Sequence, residues 1–267
     1  MKLSMGCWNA RKTDSKVSEQ VINQHAATKN AGRFVKDLVP RGTVEKVKRI
    51  QGEARSYFYK HSLPWKDEGW RIVPSEKYFN MVEAIGNYRM KIEDQVREFV
   101  SEYSKHVEAA KSELGTMFNQ TDYPSKEDLK GRFYVEVNFA PIPDHSDFRI
   151  ATAEEVKESV ESQVKKAEQD AAKDLWRRLA EPITKMVERL SSDKFFKDSL
   201  FENVQEVVEI LPSLDIIGDP KLEEIRKEVK AKLSSVKPDE VRNSSNYRNS
   251  VRKDAAEIME RMKGYMR

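Results

Sequence analysis

The chain has 267 residues, 35% of them charged and 38% apolar, with 48 Lys and Arg against 45 Asp and Glu. That balance argues against a single thick-cored globule and for extended helices with much solvated surface. One cysteine, Cys7, excludes an intrachain disulfide and a cysteine-cluster metal site, and no run approaches the roughly 18 apolar residues of a membrane span.

The formal net charge of +3 is unevenly distributed. Residues 1–73 hold fifteen Lys and Arg against seven Asp and Glu, which is +8, so the remainder is 3 − 8 = −5. The chain turns basic again after Val241, through Arg242, Arg248, Arg252, Lys253, Arg261, Lys263 and Arg267. The opening MKLSMGCWNA places a cysteine where a lipoprotein signal would, but no apolar stretch precedes Cys7. The expected location is cytoplasmic, with no membrane partner.

In chain order, residues 1–42 are polar and weakly periodic, broken by Gly32 and Pro40, and are expected to form a basic, partly flexible arm with at most a helix over 15–28. Residues 43–74 form a basic aromatic-rich segment: a short helix from Thr43 to about Tyr59, then a turn-rich stretch set by Pro64, Gly69 and Pro74. Tyr78, Met81, Ile85, Tyr88, Ile92, Val96, Phe99, Tyr103, Val107, Ala110, Leu114 and Met117 recur three and four apart, the a/d seam of a long helix that wants a helical partner. Phe133, Val135, Val137 and Phe139 alternate with polar residues, as in a half-buried strand; the turn APIPDHSD and the segment DFRI read as its return.

Thr152 and Glu155 then make a capping box for a second long helix. Its face carries Val156, Val160, Val164, Ala167, Ala171, Leu175, Leu179, Ile183, Met186 and Leu190, with a kink expected at Pro182. Three further helices are expected over 197–211, 219–236 and 238–266, two of them with proline at the first position. The expected fold is mostly α. A long antiparallel, coiled-coil-like helical hairpin spans 75–192, a short β-hairpin at its tip covers about 132–150, and C-terminal helices fill 193–267. In that hairpin Ile92 or Val96 would face the stripe from Val156 to Ile183, and the aromatic width of the first seam points to a homo-oligomer.

No phosphate-cradling glycine loop, HExxH helix or GxSxG elbow occurs. Asp144, His145, Ser146 and Asp147 could pair carboxylates with an imidazole, yet Asp, Ser and Pro are also simple turn formers. Glu154, Glu155, Glu158 and Glu161, interleaved with Lys157 and Lys165, read as solvated helix surface rather than a two-acid site. No cofactor is expected, and the chain is not expected to be an enzyme.

The segment 46–71 is more informative. Lys46, Lys48, Arg49, Arg55, Lys60, Lys66 and Arg71 surround Tyr57, Phe58, Tyr59, Trp65 and Trp70. Cations that follow phosphates and flat rings on which bases stack are what a single-strand nucleic-acid binder needs. The nine residues assigned to such a surface are Lys46, Lys48, Arg49, Arg55, Lys60, Trp65, Lys66, Trp70 and Arg71. The competing reading makes Trp65 and Trp70 core residues closing the open end of the hairpin.

Four stretches, WKDEGWRIVP, DYPSKEDLKGRF, FAPIPDHSDFR and LFENVQEVVEILPSLDIIGDPKLEEIRKEV, together resemble an uncharacterised domain of bacteriophages and bacterial mobile elements. The resemblance covers 64–266 and leaves out the basic first sixty residues. It implies a phage-type protein working inside the host, in some genomes encoded near a MoxR-type AAA+ ATPase and a von Willebrand-type protein, and it supplies no catalytic residues. The expected function is non-catalytic binding or assembly, with nucleic acid as partner and single-stranded DNA favoured. The alternative is a protein adaptor for an AAA+ ATPase.

Overall fold

The structure, a computed structural model, describes residues 1–66, 69–143, 154–191 and 195–265. In chain order these form β1 (Lys2–Gly6), β2 (Arg11–Thr13), α1 (Ser15–Gln24), β3 (Val35–Asp37), α2 (Glu45–Lys60), β4 (Leu63–Lys66), β5 (Trp70–Ile72), α3 (Tyr78–Leu114) and α4 (Lys126–Lys130). There follow β6 (Tyr134–Asn138), α5 (Glu154–Leu190), α6 (Ser199–Ile210), α7 (Pro220–Leu233), α8 (Pro238–Asn243) and α9 (Ser245–Lys263). The protein is mostly helical with a small amount of antiparallel sheet, and none of the described helices is long and apolar enough to cross a membrane. Two compact units share the chain. An N-terminal unit takes Lys2–Phe58 and Asn80–Asn138, and a C-terminal unit takes Met1, Tyr59–Phe79 and Phe139–Arg267.

In the N-terminal unit, α3 buries Met81, Ile85, Ile92, Val96, Phe99, Tyr103, Val107 and Ala110, as its spacing predicts. What covers the stripe was not foreseen. Trp8 lies 6.1 Å from the Phe99 ring and 6.0 Å from that of Tyr103, while Phe133 meets Phe99 edge-on at 5.8 Å. Helix α2 runs alongside in the opposite sense, with Tyr57 near Tyr88 (6.1 Å) and Lys46 near Glu98 (3.6 Å), and it buries Val47, Ile50, Ala54 and Phe58. Of the first forty-two residues, Trp8, Leu38 and Val39 are buried, Trp8 against this face, while residues 11–35 bury none.

Strand β6 forms as its alternation predicts, but its described partner is β1, in antiparallel register with Met5 opposite Val135. The predicted return strand and the Thr152 cap lie outside the described residues. The Tyr134 ring folds across Gly6 so closely that a Cβ there would sit 2.1 Å from a ring carbon, so a larger residue would turn the exposed ring away.

From Ala167 onward the apolar face of α5 is covered within the C-terminal unit, by β4, α6 and α9. The α3 stripe is covered in part by Trp8 and Phe133 within the N-terminal unit. Helix α5 continues through the buried Pro182. The single helix expected over 238–266 divides in two at Ser244, whose extended backbone and side chain cap the start of α9 by accepting from Tyr247 N–H.

Polar order in the N-terminal unit centres on Lys36, which is buried. Its Nζ donates to Asp14 Oδ2 (3.1 Å), Asp122 Oδ2 (2.8 Å) and the Met117 carbonyl (2.7 Å), and Lys12 donates to the other oxygen of Asp122 (2.7 Å). Asp14 also accepts from Val17 N–H at the start of α1, which with Lys36 holds its carboxyl below the ordinary value. At Asp122 burial pushes the pKa up, but Lys12 and Lys36 outweigh it and the net direction is down. Carboxyls depressed in the folded state stabilise it above their unfolded pKa, and that stability is lost as pH falls through the folded pKa. Lys36→Met should therefore cost about 3 kcal/mol, the penalty for unpairing buried charge, and should move the acid-unfolding midpoint to higher pH. Circular dichroism from pH 7 down to 2 measures both.

Candidate nucleic-acid interface

The nine residues singled out in the sequence are divided between the two units. Lys46, Lys48, Arg49 and Arg55 project from the exposed side of α2 in the N-terminal unit. Two of them are already paired, Lys46 with Glu98 and Arg49 with Glu53 (3.8 Å). Lys60, Trp65, Lys66, Trp70 and Arg71 belong to the C-terminal unit. The split occurs because the apolar stripe of α2 turns its basic residues outward, while the chain after it folds back as the β4–β5 hairpin.

That hairpin pairs Leu63 with Ile72 and Pro64 with Arg71, with Gly69 at φ +80° in the connecting turn. Beside it Met1 and Arg71 exchange two backbone hydrogen bonds of 2.9 Å each. Leu63 and Ile72 point into the core, with Trp65 packed against its margin. This settles half of the tryptophan question: Trp65 is partly core. The hairpin also borders a cleft of about 430 Å³, lined by Trp65, Trp70, Ile72, Tyr78 and Phe139 and by the segment Pro141, Ile142 and Pro143. Tyr78 and Phe139 are exposed, with ring centroids 5.6 Å apart. In the sequence Tyr78 reads as seam and Phe139 as strand core; only the fold brings them to the tryptophans.

Arg71 lines this cleft and also a second one of about 390 Å³, where it is joined by Lys60, Arg177, Arg178 and Lys185. Three carboxylates, Asp174, Glu181 and Glu206, share that space. Arg177 bonds Asp174 (2.6 Å) and Glu181 (2.7 Å), and Lys60 pairs with Glu206. Arg178 donates to the carbonyls of Tyr59 (3.0 Å), Lys60 (2.7 Å) and Ser62 (2.6 Å) while its Nε holds Asp174 (2.8 Å). Arg71 bonds both the hydroxyl (2.7 Å) and the carbonyl (2.8 Å) of buried Ser62, and its guanidinium lies 4.5 Å over the Tyr59 ring. Burial, together with the charge of Arg178, pushes the Arg71 pKa below its ordinary value. Lys185 is exposed at the rim.

The arginines of α5 were missed in the sequence because they lie more than a hundred residues from the basic segment they join. The Arg177–Arg178 doublet, one turn ahead of a helix proline, is the signal that was available.

The other candidates carry less. Asp144, His145, Ser146 and Asp147 lie outside the described residues. Glu154, Glu155, Glu158 and Glu161 are exposed along α5, with Lys157 3.7 Å from Glu154. Cys7 is half-buried, and burial, more than its charged neighbours, pushes its thiol pKa up. Among the described residues no three His, Cys, Asp or Glu side chains group as metal ligands.

The chain matches no protein-family model, no curated protein and no solved structure. The phage-type resemblance accordingly rests on its four sequence stretches alone.

Arg178→Ala should destabilise the C-terminal unit by about 3 kcal/mol, since it leaves Asp174 to Arg177 alone and takes the charged donor from the Tyr59 and Lys60 carbonyls. Arg178→Lys should not restore the loss, because an ammonium cannot span those acceptors in one plane. Urea unfolding of the three proteins makes the comparison.

Proposed function

We propose that this chain is a non-catalytic, phage-type binding protein whose C-terminal unit takes single-stranded nucleic acid, with single-stranded DNA preferred. The reading rests on one observation: the aromatic cleft of Trp65, Trp70, Tyr78 and Phe139 shares Arg71 with a cleft that holds four further cations. Bases stack in the first, each contributing about 1–3 kcal/mol, and the backbone between them passes Arg71 towards Lys60 and Lys185. A duplex, whose bases are already stacked on one another, offers no free face to those rings. The host cytoplasm is the setting this implies.

A second reading is favoured by the carboxylates among those cations and by the exposed apolar side chains of Phe79 and Ile142. It makes the same face a protein-docking site, with an AAA+ ATPase of the MoxR type as partner.

Fluorescence anisotropy with a labelled oligothymidylate, the matching duplex and an RNA, each at about 50 and 200 mM salt, separates the two. Trp70→Ala should weaken single-strand binding about tenfold and leave the salt slope unchanged, because stacking is not ionic. Lys185→Ala should reduce the slope by about one. Replacing Lys46, Lys48 and Arg49 together should change little, since Lys46 and Arg49 are already paired with Glu98 and Glu53. Absence of single-strand binding by the intact protein at the lower salt overturns the proposal and leaves the docking reading.

A further inference from the structure

The two ends of α5 have different surroundings. From Ala167 onward the helix buries ten residues, but the thirteen residues 154–166 bury none. Val156, Val160 and Val164 nevertheless recur every four residues, so they form one stripe along about 12 Å of helix. Val156 is 48% exposed and the other two are half-buried. A stripe of β-branched residues at this spacing is a helix-pairing surface.

The charges around the stripe identify what covers it. Lys157 lies on one flank with Glu161, while Glu154 and Glu155 precede the stripe and Lys165 and Lys166 follow it. A second copy laid antiparallel about Val160 sets Val156 against the partner's Val164 and Val160 against the partner's Val160. The same arrangement brings Lys157 towards the partner's Glu161. It also sets the acidic start, Glu154 and Glu155, level with the basic end of the partner's stripe, Lys165 and Lys166. A parallel pair would oppose like to like at every one of these positions. One patch that complements itself under a two-fold rotation is what an isologous dimer requires.

We propose that residues 154–166 of α5 form an antiparallel homodimer contact centred on Val160. A seam this short falls below the area of a standard interface, so the dimer is weak and concentration-dependent. The contact is independent of nucleic-acid binding and stands or falls apart from it.

Three measurements on the full chain test it. In a Cys7→Ser background, Val160→Cys should give a disulfide-linked dimer in a glutathione buffer, because the two-fold axis passes through that residue. Ser162→Cys, on the opposite side of the helix, should not. Sedimentation should show Val160→Asp to be monomeric with unchanged helicity, as the position supports no core. Lys157→Glu and Glu161→Lys should each weaken self-association about tenfold alone. When the two variants are mixed the affinity should return, since each then faces an opposite charge. A chain that sediments as a monomer at about 100 μM, cross-linking at Ser162→Cys equal to that at Val160→Cys, or no recovery on mixing would overturn the proposal.

Discussion

The C-terminal unit depends on how one guanidinium handles the end of a helix. Helix α2 ends at Lys60 without a left-handed glycine cap, and its last carbonyls would be left without donors in a half-buried setting. Arg178 supplies the donors from α5, 116 to 119 residues away in sequence, and is itself held in place by Asp174. Its positive charge also lies where the helix dipole is negative. Arg71 extends the arrangement by bonding Ser62, the next residue whose carbonyl Arg178 uses. The hairpin that carries the two tryptophans leaves from that point, so the position of the aromatic cleft follows from the cap.

The same solution recurs. Arg248 reaches the carbonyls of Arg189 (3.1 Å) and Leu190 (3.2 Å) at the end of α5, and Arg226 reaches that of Val208 (3.3 Å) near the end of α6. In each case a planar side chain with five donors meets carbonyls in the last turn of a helix. This accounts for part of the high arginine content without invoking a polyanion. It also separates the basic residues that hold the fold, such as Arg178, from those left at the surface, such as Lys185.

Helical spacing was legible in the sequence because it depends on neighbours three and four residues away. The buried stripe of α3, the proline-led starts of α7 and α8 and the strand at β6 all followed from it. Partnership was not legible. The α3 stripe accepts any apolar cover, and nothing local in residues 1–42 announces that Trp8 provides part of it. Strand β6 likewise needs an edge, and its alternation suits β1 as well as a nearby return strand. Of the aromatic cleft, Trp65, Trp70 and Arg71 could be read directly. Tyr78 and Phe139 could not, since each belongs by pattern to an element whose other apolar residues are core.

The separation along the chain between Arg178 and its acceptors has a temporal meaning. A chain made at about 5–20 residues per second exposes the end of α2 roughly 6 to 24 seconds before the arginine that caps it exists. The C-terminal unit is also built from three pieces, Met1, Tyr59–Phe79 and Phe139–Arg267, so it cannot close while synthesis is still short of α5. During that interval Trp65 and Trp70 are attached to a helix end with no fixed direction, and their apolar faces are open to whatever the nascent chain meets first. The long-range arginine thus makes the formation of this cleft a late event in the life of each molecule.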